Sequence, residues 1–318
     1  MASPNSEYAV ASMIKSEKIC SVIGGYMPSI ESIKIRKNIQ KDTLRKDLTI
    51  IQQRKIWEDY AETVQIPEGI NENYEKINGI NCLWLIPLIR SNDDVIVYIH
   101  GGGLIEGSVI THREFASHLS LKTNRAIIII DYSLAPENPY PIALKEIQLV
   151  YKKLIENRFE PKNIYWGADS SGTSLALSAL IQLRNNNVSL PSKVFFLSGL
   201  FDHSLSGESM SSKKDIDPFT SKEVLEYCNT LYSPDIPLDS PEISPLFNNL
   251  SNLPEILLQV GEDEILLSDS VRLFEKIRSI GGKIELDIWE DMWHVWQMYI
   301  ELPESDYALE KIKLFLDK

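Results

Sequence analysis

The strongest constraint on the fold of this chain is an alternation of short, apolar, β-branched runs with segments of helical periodicity. Such runs, bounded by turn residues, are typical of buried parallel strands, and the helical segments between them supply the crossovers. The alternation predicts an α/β fold with a mostly parallel central sheet covered by helices on both faces. The predicted strands are 63–66, 81–88, 95–99, 126–131, 163–167, 193–197, 256–260 and 284–289. The predicted helices are 112–122, 141–157, 171–185, 221–231, 269–280 and 306–316.

A serine lies at one of the predicted strand-to-helix junctions. Ser170 stands between the small residues Ala168 and Gly172, after the strand at 163–167 and before the helix at 171–185. This pattern is typical of a nucleophile elbow, a sharp turn that presents a serine hydroxyl at the sheet edge. Because short Gly/Ser turns before helices are common, the pattern alone is weak evidence for catalysis.

A second motif, His100-Gly101-Gly102-Gly103, directly follows the predicted strand 95–99. Glycines past a strand let backbone N–H groups approach a ligand, because no Cβ is in the way. In a serine hydrolase such donors, with the amide after the nucleophile, hold the oxygen of the tetrahedral intermediate. The alternatives are a flexible turn and a phosphate-binding loop. No Lys-Ser/Thr pair follows the glycines, which disfavours a Walker-type loop.

A nucleophilic serine of this kind needs an acid and a histidine, in the chain order Ser, Asp or Glu, His. Only His203 and His294 follow Ser170. His294 lies in a turn beyond the last predicted strand, where it would reach the sheet edge, whereas His203 is interpreted as an exposed loop histidine. The acid is expected after the strand at 256–260, where three consecutive carboxylates, 262–264, remain open on chemical grounds.

Together these motifs resemble the hormone-sensitive-lipase-like carboxylesterases of the α/β-hydrolase superfamily. The similar segments stand in family order from about residue 95 to 296: 100–103, 131–141, 169–172, 244–246, 261–270 and 292–296. The resemblance implies an α/β-hydrolase fold with a helical cap. It also implies a catalytic triad of Ser170, Glu264 and His294, with Asp263 as the alternative acid.

The same resemblance implies roles for the backbone around the serine. The amides of Gly101, Gly102 and Ser171 are expected to form the oxyanion hole, and His100 is expected to organise its loop. The reaction would be the hydrolysis of small esters of short to medium acyl chains, with no metal and no organic cofactor. The rivals are an acyltransferase or lactone hydrolase on the same triad. A non-catalytic receptor is disfavoured because every reacting residue is present.

Three positions depart from the pattern of the family. Ala168 replaces the first glycine of the elbow, Ser133 stands where relatives usually carry arginine, and Thr173 stands where a further glycine is common. None of these changes removes a reacting group. They therefore bear on the level of activity more than on the mechanism. Trp293 and Trp296 flank His294 and are interpreted as packing residues rather than as the entrance to a pocket.

The resemblance also predicts how the chain is organised. Residues 1–60 are expected to be a largely helical cap segment, and 61–318 a catalytic domain with a cap insertion at about 203–240. The insertion begins with a polar stretch that is interpreted as a mobile surface loop. The basic stretch 34–46 is interpreted as a solvated helix face.

The composition of the chain disfavours several classes of binding partner. A formal net charge of −13 over 318 residues disfavours nucleic acid and anionic membrane surfaces. Three widely spaced cysteines fit neither a disulfide framework nor a metal site, and no apolar run approaches the ~20 residues of a membrane span. We expect a cytoplasmic protein without stable membrane insertion, whose partner is a small-molecule ester. The oligomeric state cannot be read from the sequence; dimers are frequent among similar proteins, which makes a homodimer the state to test.

Overall fold

One sheet forms the centre of the part of the chain that the structure describes. The computed structural model of the chain describes residues 20–23, 28–39, 47–90 and 93–318, the first of these for its backbone alone. In this part of the chain the sheet has nine strands in the order β1-β9-β8-β7-β6-β4-β5-β3-β2. The strands are β1 (Cys20–Ile23), β2 (Ile70–Ile77), β3 (Ile80–Pro87), β4 (Val95–Ile99), β5 (Ala126–Ile130), β6 (Ile164–Asp169), β7 (Lys193–Leu197), β8 (Glu255–Gly261) and β9 (Ile284–Trp289).

The pairing of the strands is mostly parallel, as the alternation predicts. All neighbours from β1 to β5 in the sheet order run parallel, while β3 pairs antiparallel with both β5 and β2. The α-helices of the described residues are α1 (Ile30–Asn38), α2 (Ile50–Thr63), α3 (Val109–Thr123), α4 (Ile142–Asn157), α5 (Gly172–Asn185), α6 (Ser209–Ser212), α7 (Lys222–Tyr232), α8 (Leu267–Ser279) and α9 (Pro303–Asp317). The predicted fold class is confirmed.

Both faces of the central strands are buried. In β5 every residue is buried, with Ile128 facing one apolar cluster and its neighbours Ile127 and Ile129 facing the other. Successive side chains of a strand point to opposite faces, so a strand covered by helices on both sides must be apolar throughout. These strands therefore leave room for polar chemistry only at their ends.

Two predictions about the early strands are corrected. The strand predicted at 63–66 is wrong, because α2 extends to Thr63 and a loop follows. The strand β2 was missed, because this edge strand is mostly polar and exposed, so it lacks the apolar pattern. The signal that could have found it is Asn78-Gly79, a dipeptide typical of tight hairpins; both residues have positive φ, 52° and 86°.

The N-terminal segment contributes both helices and a strand. Of the predicted cap segment 1–60, residues 1–19, 24–27 and 40–46 lie outside the described residues. The strand β1, which pairs with β9, adds an edge strand to the sheet where helix was expected. The helix α2 begins with a capping box, in which Thr49 Oγ1 accepts from the Gln52 N–H and Gln52 Oε1 accepts from the Thr49 N–H.

The segment 203–240 packs against the catalytic domain, and hydrogen bonds hold its first residues in place. His203 is buried, which corrects its interpretation as an exposed loop histidine. Its Nδ1 lies 2.6 Å from Asn229 Oδ1 of α7, and Asn229 Nδ2 donates to the His203 carbonyl over 2.7 Å. These two contacts join the start of the insertion to its own helix α7.

Across the described residues, no helix is both long and apolar enough to cross a membrane.

The buried centre of the sheet yields a prediction of stability. We expect Ile128→Ala to lower the free energy of unfolding by about 2–5 kcal/mol, because the residue is fully buried and the cavity cannot close. Urea unfolding followed by tryptophan fluorescence measures this loss. The matched control is Leu314→Ala on the outer face of α9, where the side chain is 53% exposed and the change should stay within about 0.5 kcal/mol. Equal losses in the two variants would contradict this account of the core.

Candidate active site

Five adjacent strands end at the same edge of the sheet and carry the polar residues of the site. In the order β9, β8, β7, β6 and β4, the loops that follow these strands contain His294, Glu264, Ser198, Ser170 and the glycine motif that begins at His100. The carboxyl ends of parallel strands meet at one edge, and ligand sites of open α/β sheets form there. Residues separated by almost 200 positions therefore become neighbours.

Ser170 occupies the sharp turn between β6 and α5. Its φ of 47° lies in the left-handed region, which is uncommon for a residue with a side chain and marks a strained turn. Its N–H donates to the Leu197 carbonyl over 2.9 Å, which fixes the turn against β7. A Cβ at Gly172 would lie 2.3 Å from the His100 carbonyl oxygen, so this position requires glycine. Ala168, the departure on the other side, is accommodated as a buried residue of β6.

The structure brings together the three predicted triad residues. His294 Nε2 lies 2.9 Å from Ser170 Oγ, and His294 Nδ1 lies 3.1 Å from Glu264 Oε2. Glu264 is fully buried and His294 is 3% exposed, so water has little access to this line of contacts. A serine, an imidazole and a carboxylate in this order can pass a proton from the hydroxyl to a base that the carboxylate orients.

Burial and the neighbouring carboxylate shift the pKa of His294 in opposite directions. Burial lowers the pKa of His294, but the hydrogen bond to Glu264 and its negative charge outweigh this and raise the pKa above the ordinary value. Burial raises the pKa of the Glu264 carboxyl, while the hydrogen bonds that it accepts from His294, Ser198 and Gly261 oppose that effect. Burial outweighs these bonds, so the pKa of Glu264 stays above its ordinary value, and the three donors stabilise its charged form.

The alternative acid, Asp263, faces away from the histidine. Its carboxylate is 2.8 Å from Arg36 Nη1 and 3.8 Å from Lys213 Nζ. Glu264 instead turns inward, where its Oε1 accepts from the Ser198 hydroxyl and from the Gly261 N–H, both over 2.6 Å. The geometry therefore separates two neighbouring carboxylates that chemistry alone left open.

Ser198 is a residue of the site that sequence reasoning missed. Its Oγ donates to Glu264 and accepts from the Val295 N–H over 3.0 Å, so it joins the acid to the loop of the histidine. Its φ of 50° turns the chain sharply after β7. The only sequence signal was its position directly past a predicted strand, since lone serines after strands are common.

The glycine motif lies against the serine, but one of its donors is already used. The Gly101 N–H donates to Asp169 Oδ1 over 3.0 Å, which corrects its expected role as an oxyanion donor. In the part of the chain that the structure describes, the N–H groups of Gly102, Gly103 and Ser171 donate to no protein acceptor. Gly102 and Gly103 line the pocket, and the φ of Gly102, 110°, is one that only glycine adopts readily.

Asp169 is the second residue that sequence reasoning missed. Its Oδ1 accepts from the Tyr98 hydroxyl and from the Gly101 N–H, both over 3.0 Å, and lies 3.5 Å from His112 Nε2. Burial opposes its ionisation, but His112, His100 and Tyr98 lower the pKa of the carboxyl below its ordinary value. A buried carboxylate with these partners holds the glycine loop beside the nucleophile.

His100 is placed as a part of the loop and not as a base. Its Nδ1 lies 2.8 Å from the Gly101 carbonyl, and its ring stacks on Tyr132 with centroids 4.2 Å apart. Burial lowers the pKa of His100 to about 3, so the ring is neutral. The Tyr132 hydroxyl donates to the His100 carbonyl over 2.7 Å, which fixes the backbone that Gly172 approaches.

The pocket in front of Ser170 is closed in part by the N-terminal segment and the insertion. Its volume is about 530 Å³, within the usual range for small-molecule sites. Trp57 of α2 forms one wall, and Phe219, Val224, Leu225 and Cys228 of the insertion form another. The walls are largely apolar, with the serine and the glycine loop at the base. Such a pocket suits a small ligand that is largely apolar.

The remaining departures and flanking residues have structural contacts. Ser133 Oγ donates to Glu146 Oε1 over 2.7 Å, and Thr173 Oγ1 donates to the Ser170 carbonyl over 2.7 Å. Trp293 and Trp296 are completely buried in an apolar cluster and do not line the pocket, as the packing interpretation predicts. Among the described residues, no group of three or more His, Cys, Asp or Glu side chains could hold a metal ion.

Several known proteins of similar sequence or structure are esterases or acetyl-hydrolases. A model of the α/β-hydrolase fold family matches residues 96–298. An esterase of Acinetobacter venetianus is 37% identical over 227 residues, which cover 71% of this chain and 75% of that protein. An acetyl-hydrolase of Streptomyces hygroscopicus is 30% identical over 234 residues, 73% of this chain and 78% of that protein.

Among solved structures, an esterase from the bacterial hormone-sensitive lipase family matches with a TM-score of 0.86 and 32% identity. The match covers 92% of this chain and 98% of that chain. The family match spans more than half of the chain and includes the serine, the acid and the histidine. The chain belongs to the hormone-sensitive-lipase-like carboxylesterases of the α/β-hydrolase superfamily, and it is a carboxylic ester hydrolase.

Proposed function

We propose that this carboxylesterase hydrolyses small esters of short to medium acyl chains through a triad of Ser170, His294 and Glu264. The observation that carries the proposal is the continuous line of contacts from Ser170 Oγ to His294 Nε2, 2.9 Å, and from His294 Nδ1 to Glu264, 3.1 Å. The partly enclosed pocket of about 530 Å³ supports a small substrate. The acetyl-hydrolase of Streptomyces hygroscopicus supports a short acyl group.

In the first step Ser170 Oγ attacks the ester carbonyl while His294 Nε2 takes the proton of the hydroxyl. Glu264 stabilises the imidazolium that forms and holds its tautomer. The negative charge on the carbonyl oxygen is received by the N–H groups of Gly102, Gly103 and Ser171. One strong donor of this kind contributes about 3 kcal/mol to the stability of the transition state.

Collapse of the tetrahedral intermediate expels the alcohol, which leaves with the proton from His294. Water then attacks the acyl group on Ser170 while His294 accepts its proton; as this second tetrahedral intermediate collapses, His294 returns the proton to Ser170 Oγ and the carboxylic acid is released. The strained turn at Ser170 keeps the hydroxyl in position throughout, because its backbone is fixed by β7 on one side and by the glycine loop on the other. An acyltransferase on the same triad would replace water with another alcohol or an amine in the second step.

The first prediction from this mechanism concerns the nucleophile and the acyl acceptor. We expect steady turnover of p-nitrophenyl acetate and butyrate, weaker turnover of the octanoate, and a loss in kcat of about 10⁴-fold or more for Ser170→Ala. Release of p-nitrophenol measures each rate. A stoichiometric burst without turnover would instead indicate acyl transfer to an acceptor other than water. Unchanged hydrolysis in the serine variant would overturn the triad.

The second prediction separates the two neighbouring carboxylates. Glu264→Gln should lower kcat by about 10³-fold or more, because a neutral amide cannot stabilise the imidazolium or fix its tautomer. Asp263→Asn should keep kcat within about tenfold, because its side chain faces Arg36 and the amide retains an acceptor oxygen. The two variants form a matched pair, because each replacement removes one negative charge and nearly keeps the size of the side chain that it replaces. The reverse ranking of their kcat values would make Asp263 the acid.

The third prediction concerns pH. His294 must be neutral to accept a proton, and its pKa is raised, so kcat/KM should fall as the pH drops through a value above about 6.5. Glu264→Gln removes the charge that raises this pKa, so the acid limb of the residual activity should move to lower pH. Asp263→Asn should leave the limb in place. A limb that stays fixed in the Glu264 variant would mean that another group titrates.

A cytoplasmic location, a homodimer and independence from cofactors remain proposals, which rest on composition and on the resemblance to the family. Size-exclusion chromatography with light scattering would test the dimer directly.

A further inference from the structure

The helix α1 is fixed to the catalytic domain at both of its ends. At its start Ser29 is the N-cap, and Glu304 of α9 accepts from the Ser29 N–H over 2.8 Å and from its hydroxyl over 3.0 Å. Towards its end Ile35 and Ile39 pack on the apolar cluster around Trp293. This helix therefore lies directly against the loop that carries His294.

Arg36 extends from this fixed helix to three separate loops. Its Nη1 donates to the Asp291 carbonyl over 2.8 Å and lies 2.8 Å from Asp263 Oδ2, while its Nη2 donates to the Ile216 carbonyl over 3.0 Å. Arg36 belongs to the basic stretch that was interpreted as a solvated helix face. Lys37, the next residue, does remain exposed.

Each of the three contacts is close in sequence to a residue of the site. Asp263 directly precedes Glu264, and Asp291 lies three residues before His294. Ile216 lies three residues before Phe219, whose ring packs against His294 with centroids 5.6 Å apart and lines the pocket. One guanidinium thus joins the acid loop, the histidine loop and the insertion.

A second contact holds the insertion in the same place. Asp217, which follows Ile216, is buried, and its Oδ2 accepts from the Ile265 N–H over 3.0 Å. Its Oδ1 accepts from the Phe219 N–H over 2.8 Å, which fixes the backbone that carries this ring. The insertion is therefore attached to the acid loop from its inner side and to Arg36 from its outer side.

The chemistry of arginine fits this position better than that of lysine. A guanidinium has five N–H donors in a rigid plane, so it can serve acceptors on three loops in fixed directions. The side chain of Arg36 is 29% exposed and that of Asp263 is 16% exposed, so water still reaches this ion pair and weakens it by screening. Its value therefore lies in the geometry that it imposes on the loops.

We propose that Arg36 is a positioning residue of the esterase, which holds the loops of Glu264 and His294 in register with the insertion that closes the pocket. The inference rests on the proposed triad. Through it the N-terminal helix α1 acts on both the imidazole and the substrate pocket, although no atom of Arg36 touches the reacting groups. A misplacement of about 1 Å in such an arrangement costs about 10²-fold in rate.

The test compares Arg36→Gln and Arg36→Lys with Lys37→Gln, which removes the same charge from the exposed side of the same helix. We expect Arg36→Gln to lower kcat for p-nitrophenyl butyrate by about 10- to 100-fold and to raise KM, because both the imidazole and the Phe219 wall are released. Arg36→Lys should retain only part of kcat, because the ammonium keeps the positive charge but cannot donate to three loops at once. Lys37→Gln should stay within twofold of the wild type.

A second measurement distinguishes positioning from a general loss of folding. If Arg36 keeps the pair of Glu264 and His294 together, its loss weakens that hydrogen bond, so the acid limb of kcat/KM should move to lower pH. A merely structural residue would reduce the amount of active enzyme and leave the limb unmoved. Titration of active sites with a p-nitrophenyl phosphonate gives the concentration of active enzyme in every variant.

The inference is overturned if both Arg36 variants match Lys37→Gln in kcat, KM and pH profile. It is also overturned if the loss disappears when rates are divided by the titrated active sites. If Arg36→Gln does not fold, the kcat of Arg36→Lys becomes the deciding measurement. A wild-type kcat in Arg36→Lys would then reject the inference. Failure of the triad itself is recognised separately, because the wild type would then be inactive or Ser170→Ala would remain active.

Discussion

A sheet whose central strands are buried on both faces determines where this protein can carry out chemistry. Side chains of β4 and β5 alternate between two apolar clusters, so a charged group in the middle of these strands would have neither water nor a partner. The charged residues next to β4 and β5 therefore lie only in the loops where these two strands end. Because five neighbouring strands are parallel and end at one edge, the loops from five distant parts of the chain meet there.

Two buried carboxylates organise this edge, and they act on different parts of it. Glu264 is bound by His294, Ser198 and the Gly261 N–H, and so it ties the last two loops to β7. Asp169 is bound by Tyr98 and the Gly101 N–H, with His112 nearby, and so it holds the glycine loop beside Ser170. A buried carboxylate is costly unless its oxygens are satisfied, and such networks specify one arrangement of the groups that they join.

The N-terminal segment reaches the same edge from outside the sheet. Arg54 of α2 donates to the Ile105 and Ala135 carbonyls, both over 2.6 Å, and pairs with Glu137, so it braces the loop after the glycines. Arg36 of α1 braces the loops of the acid and the histidine. The two helices thus contact opposite halves of the site. Trp57 adds a wall to the pocket, which links the position of this segment to the space open to a substrate.

The sequence by itself determined the parallel sheet, the turn at Ser170, the glycine loop and the histidine beyond the last strand. These features are local, because they follow from apolar runs, small residues at sharp turns and chain order. The edge strand β2 escaped because an exposed strand has no apolar pattern, although Asn78-Gly79 marked its hairpin.

Only the tertiary structure decided which carboxylate faces His294, which glycine N–H groups stay free, and what Ser198, Asp169 and Arg36 contact. Neighbours such as Asp263 and Glu264 have nearly the same chemistry, and their roles differ because the loop turns one outward to Arg36 and the other inward to the imidazole. The direction of a side chain in a loop is set by contacts with distant segments, and these contacts exist only once the sheet has brought the loops together.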